Sequence, residues 1–138
     1  MSSRDRVNQL FRLDGRVALV TGAAGYLGRH LVNGLCQAGV HVIINGRTLD
    51  KLERMVENLS DKGYHVSLAS FDVTQEHLIE AAMSSIRVEY GCLDIVVNNA
   101  YAGRTGTIET ATWKDFEDAY RVSVTAAFRI IQLAKPLL

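Results

Sequence analysis

Residues 21–28 read TGAAGYLG, with glycines at positions 22, 25 and 28. That spacing suits one kind of chemistry, the cradling of a phosphate group by backbone. Gly22 lets the chain turn sharply, Gly25 lets the backbone approach a pyrophosphate, and Gly28 lets a following helix sit close on a strand. The helix that begins there offers unpaired N–H groups and a partial positive charge to an anion. Read as a dinucleotide site, the loop contributes Thr21, Gly22, Gly25, Tyr26, Leu27 and Gly28. The alternative is a purely structural turn, in which Thr21 only bonds neighbouring strands. No Gly-Lys-Ser/Thr follows, so the run is not a P-loop, and it also departs from the G-x-G-x-x-G spacing.

A second group bears on which dinucleotide is held. NAD specificity usually places an acidic side chain at the end of the second strand, where it accepts from the ribose hydroxyls. Here residues 44–47 are INGR, with Gly46 and then Arg47. A carboxylate would repel a 2′-phosphate, whereas a guanidinium pairs with it through charge-assisted bonds. The expected cofactor is therefore NADP(H), with NAD(H) as the second choice. Against this stands the reading of Arg47 as a solvated start to the next helix.

These residues must be positioned by strands and helices, and the hydrophobic pattern supplies both in alternation. VALVT at 17–21 reads as a buried strand, followed by the glycine turn and a helix over about 26–38 with Leu27, Leu31 and Leu35 on its apolar stripe. VHVII at 40–44 is a second strand, and the next helix carries Leu49, Leu52, Val56 and Leu59. A third strand spans about 64–71, a helix beginning near Thr74 follows with Leu78, Ala82 and Ile86, and LDIVV at 93–97 is the fourth strand. A long helix over 112–135 ends the chain. It has Trp113, Phe116, Tyr120, Val124, Ala127 and Ile131 on one stripe and Phe128 and Ile130 off it, an apolar band wide enough to meet something besides its own sheet. Four strand–helix alternations predict a doubly wound α/β fold of Rossmann type. Right-handed crossovers order its parallel strands 3-2-1-4, with a ligand crevice above strands 1 and 4.

The residues from LDGRVALVTGAAG at 13–25 to the final helix resemble the short-chain dehydrogenase/reductase family, in which a threonine precedes the first glycine. FDV at 71–73 is similar to that family's strand-3 terminus, which implies that Asp72, beside Val73, reaches the adenine amino group. VVNNA at 96–100 is similar to its strand-4 signature, which implies that Asn98, Asn99 and Ala100 brace the sheet beside the cofactor. Asp72 has a second reading as the cap of the next helix, with Gln75 completing a capping box. Tyr26 stands where the single-domain branch of the family has its middle glycine. YRVSVTAAF at 120–128 resembles that branch's helix, and Ser123 falls where the family has a catalytic asparagine. Serine is shorter and has one donor.

The resemblance implies hydride transfer between a nicotinamide and the carbonyl or alcohol carbon of a small-molecule substrate. The family's proton donor is a tyrosine with a lysine four residues later. The five tyrosines here, at 26, 64, 90, 101 and 120, are followed at that distance by His30, Leu68, Asp94, Thr105 and Val124. The expectation is thus a single NAD(P)-binding domain over 1–138, with 1–12 as an N-terminal extension, truncated before the later strands and inactive by itself. The rival is a non-catalytic dinucleotide-binding sensor or interaction module. The family also implies a homo-oligomer through helix 112–135.

Composition narrows the remaining classes. Fifteen basic residues balance fifteen acidic ones among 138, so no strong field draws the chain to nucleic acid or an anionic membrane. Cys36 and Cys92 are too few for a disulfide framework, and each is expected to be a small buried thiol. The four histidines show no metal-binding spacing, so no metal is expected. No signal sequence or membrane span is evident, which fits a cytoplasmic protein.

Overall fold

The computed structural model describes residues 9–103 and 106–138. Residues 1–8 of the expected N-terminal extension lie outside them. Four parallel strands, β1 (Val17–Val20), β2 (His41–Gly46), β3 (Val66–Ser70) and β4 (Ile95–Val97), form one sheet in the order β3-β2-β1-β4, as the alternating pattern predicts. The helices are α1 (Tyr26–Gln37), α2 (Leu49–Ser60), α3 (Glu76–Tyr90), α4 (Trp113–Tyr120) and α5 (Ala126–Ala134).

Strand alternation splits the core into two layers. Val17, Leu19 and Ile43 face α3 and α5, where they meet Ile79, Met83, Ile86 and Ile130. Ala18, Val20, Val42 and Ile44 face α1 and α2, where they meet Val32, Cys36, Leu52 and Leu59. Both faces of β1 are therefore dry, which explains a strand with no polar alternation. At its start, Asp94 fixes the neighbouring strand: its carboxylate accepts from the Val17 N–H at 2.8 Å and from the Arg16 guanidinium at 2.6 Å.

Three helix faces differ from the sequence expectation. In α1 the buried positions are Gly28, Val32 and Cys36, one residue round from the expected leucine stripe, and Leu27 is exposed. Gly28 sets that rotation, because the helix can press on the first turn only where no Cβ intervenes; one there would lie 2.8 Å from the Ala23 Cα.

The long terminal helix is interrupted by a π-helical turn at Arg121–Thr125. Its inward positions are Ala126, Ile130 and Ala134, while Trp113, Phe116, Tyr120, Val124, Phe128 and Ile131 point outward and remain 45–78% exposed. Most of the apolar stripe read from the sequence is thus the outer face, and small residues let α5 lie close on α3.

In α3 the fully buried residues are Ile79, Met83 and Ile86, with Leu78 and Ala82 only partly covered. Cys92 is exposed rather than buried, because it follows the left-handed Gly91 that ends α3 and turns outward before the fully buried Leu93. Cys36 is buried as expected.

Candidate functional site

The crevice lies at the carboxyl ends of β1, β2 and β4, where the winding reverses. Its floor is the glycine turn. Gly22 has φ +63°, a left-handed conformation, and a Cβ on it would stand 2.9 Å from the Ala100 Cα. A side chain here would meet both a backbone penalty and a wall. Gly25 precedes α1 in extended conformation, and no side chain caps the helix. Its first turn thus has no side-chain acceptor and lines the crevice, an arrangement suited to an anion.

The end of β4 is tied to this turn by a compact set of bonds. Thr21, only 1% exposed, receives the backbone N–H groups of Asn99 and Ala100 on its Oγ1, each at 3.0 Å, and donates to the Val97 carbonyl at 3.3 Å. The Asn99 amide donates to the Thr21 and Gly22 carbonyls at 2.9 and 3.0 Å. These bonds answer the cost of polar side chains at a buried strand end. Asn98 does not join them. It is exposed and lines a small recess with Ser123, Thr21 and Ala100. Ser123 lies on the π-helical turn, the one break in the terminal helix.

Two lobes open from the floor. The larger, about 580 Å³, runs between the glycine turn with Tyr26 and Leu27 and the start of α2 with Arg47, Thr48 and Lys51. The smaller, about 130 Å³, is lined by Phe71, Asp72, Val73 and Thr74 at the end of β3. Arg47 is exposed and borders both.

Asp72 does not cap α3, which starts at Glu76 with Gln75 as its N-cap and no side-chain cap bond. Its Oδ1 instead accepts from the Thr74 N–H and hydroxyl, each at 2.8 Å. Burial works against the Asp72 charge, but the Thr74 bonds and the Arg47 cation outweigh it and hold its pKa below the ordinary carboxylate value. At neutral pH it is an acceptor only, suited to an amino group.

Two residues at the site were not foreseen. Asn45, 1% exposed, donates to the carbonyls of Ala69 and Phe71, both at 3.0 Å, and so fixes the chain just before Asp72. An amide closing the apolar run VHVII was the available signal. Tyr101, 73% exposed, borders both lobes; only its place immediately after Ala100 pointed to it.

Among the described residues no helix is long and apolar enough to cross a membrane. The family profile for short chain dehydrogenase matches residues 16–138. The 5-keto-D-gluconate 5-reductase of Escherichia coli is 36% identical over 126 residues, covering 91% of this chain and 50% of that protein. Gluconate 5-dehydrogenase of Gluconobacter oxydans is 35% identical over 123 residues, 89% of this chain and 48% of the relative. The chain spans about half the length of the curated relatives it matches. Among solved structures, a gluconate 5-dehydrogenase from Burkholderia cenocepacia in complex with NADP and tartrate superposes with TM-score 0.86 at 32% identity, over 94% of this chain and 51% of that one. L-Sorbose reductase from Gluconobacter frateurii, complexed with NADPH and L-sorbose, gives 0.83 at 29% identity, over 91% and 48%.

Proposed function

Because the chain belongs to the short-chain dehydrogenase family, we propose that its single domain is the NADP(H)-binding part of an oxidoreductase acting on a sugar acid or ketose. The observation that carries this reading is the pairing of a side-chain-free floor, Gly22 and Gly46, with the Arg47 guanidinium on the same crevice wall. Gly46 leaves room beside a ribose, and Arg47 matches a 2′-phosphate in charge and geometry. The residues present fit such a cofactor: Cβ atoms at Gly22 and Gly28 would crowd the floor and the helix start. NADP and NADPH in the similar solved proteins support the choice, and the gluconate-directed relatives support the substrate class.

Each residue then has a role. The first N–H groups of α1, on Tyr26 and Leu27, hold the pyrophosphate, with Gly25 keeping side chains out of its way and Gly28 keeping the helix close. Arg47 holds the 2′-phosphate, Asp72 accepts from the adenine amino group, and Val73 walls its lobe. Thr21, Asn99 and Ala100 keep the floor fixed, and Asn98 and Ser123 edge the recess toward the substrate. The bound nicotinamide supplies the hydride or takes it up.

Within the 138 residues no tyrosine has a lysine four positions later, so proton transfer to substrate is assigned to residues outside them. The purified chain should therefore bind NADPH yet turn over neither gluconate nor 5-ketogluconate above a Gly22→Val control. A protein carrying these residues together with a Tyr-x-x-x-Lys should turn over at least one sugar acid or ketose with NADP(H). Turnover by the chain alone, or none by the longer protein, would contradict the assignment.

A further inference from the structure

The two lobes of the crevice share four lining residues, Gly22, Gly46, Arg47 and Tyr101. Two have no side chain and form the floor. The other two are a guanidinium and a phenol ring, at the ends of β2 and β4 respectively. Tyr101 is 73% exposed, so its ring is open to a ligand that enters the crevice. Its position is also set by the chain: the ring folds back over Gly103, where an added Cβ would overlap both the ring and its hydroxyl. The segment therefore gives up a side chain at 103 to hold the tyrosine at the divide. Preceding it, Ala100 is pinned through its N–H to Thr21 Oγ1 at 3.0 Å, so the ring departs from a fixed point.

We propose that Tyr101 is a specificity-determining residue that stacks on the purine of the bound nucleotide, with the Arg47 guanidinium as the other wall. A floor without side chains, flanked by a planar cation and an aromatic ring, fits a flat, electron-rich ring system, and both walls stack on one. The smaller lobe adds the Asp72 carboxylate as an acceptor for an exocyclic amino group. Adenine meets both demands. This rests on the nucleotide-binding reading above and adds to it a residue that reads the base rather than the phosphates.

The test uses the 138-residue chain, adenosine 2′,5′-bisphosphate as the probe carrying the ring, and inorganic pyrophosphate as the probe without it. Tyr101→Ala should weaken the adenosine probe about 5- to 150-fold, the range of one base–aromatic stack, and leave pyrophosphate within about 2-fold. Tyr101→Phe keeps the ring and should restore binding. The wild type and the Phe variant should lower the adenine absorbance band on saturation, and Tyr101→Leu should not. Equal affinity of wild type and Tyr101→Ala for the adenosine probe would overturn the stacking role while leaving the nucleotide site intact. Equal loss of both probes would overturn it too, by making Tyr101 a support of the turn. No binding of the adenosine probe to wild type would overturn both readings.

Discussion

The Asn99 side-chain amide stands 3.0 Å from the Gly22 carbonyl oxygen, tying the end of β4 to the first glycine of the turn after β1. The same amide reaches the Thr21 carbonyl at 2.9 Å, so one side chain spans the switch point of the sheet. A crevice floor made of glycine would otherwise be its softest part. Here it is held by bonds from a neighbouring strand that has itself been fixed by Thr21.

Thr21→Val keeps the shape and removes the hydroxyl. The Ala100 N–H then loses its 3.0 Å acceptor, and the chain should lose about 1–3 kcal/mol, the cost of one part-buried donor left unpaired. Urea unfolding followed by circular dichroism measures this. NADPH affinity should fall in the same variant, because the floor and the position of Tyr101 depend on that bond; unchanged stability and affinity would show that the hydroxyl is idle.

Much of this was legible in the sequence, for identifiable reasons. Strands buried on both faces leave unbroken apolar runs such as VALV, and helices between them leave a period of 3.6, so strand order follows from handedness alone. The floor residues were legible because Gly22, with positive φ and a wall at 2.9 Å, allows no other residue without strain. Helix rotation was not. Leucine spacing in α1 marks an apolar stripe but cannot register that Gly28 draws the helix inward by one position. The π-helical turn at Arg121–Thr125 left no composition signal either, and it helps put the aromatic residues of the terminal helix outside.

A cluster away from the crevice should make stability depend on pH. His41 is stacked on His65 with ring centroids 6.3 Å apart, meets the edge of Tyr90 at 5.0 Å, and bonds the Ser67 hydroxyl at 3.1 Å. Burial pushes the His41 pKa down, His65 adds to the shift, and Glu89 opposes it. The folded state thus takes up this proton less readily than the unfolded chain, so the stabilisation is present above the unfolded value, roughly 6.5. It is lost as pH falls below that value toward the lower, folded one. Melting temperature should therefore drop below pH about 6.5, before the carboxylates titrate, and His41→Gln should flatten that step. A wild-type profile level down to the carboxylate range would refute it.

The outer face of α4, the π-helical turn and α5 carries Trp113, Phe116, Tyr120, Val124, Phe128 and Ile131, all well exposed. Contiguous apolar area of this kind marks association surfaces. At tens of micromolar, an order-of-magnitude working range, the chain should sediment as a dimer or larger species. Phe128→Asp should shift it toward monomer without altering the circular dichroism spectrum. A wild-type monomer at that concentration would remove the assignment of this face to a second copy.

The central claim is that this crevice holds NADP(H) and that Arg47 reads the 2′-phosphate, and side-by-side calorimetric titration of NADPH and NADH tests it most directly. One charge-assisted contact is worth roughly 1.5–3 kcal/mol, so wild type should bind NADPH about 10- to 150-fold more tightly than NADH. Arg47→Ala should erase the difference by weakening NADPH alone. Tighter binding of NADH to wild type, or a preference that survives Arg47→Ala, would contradict the account.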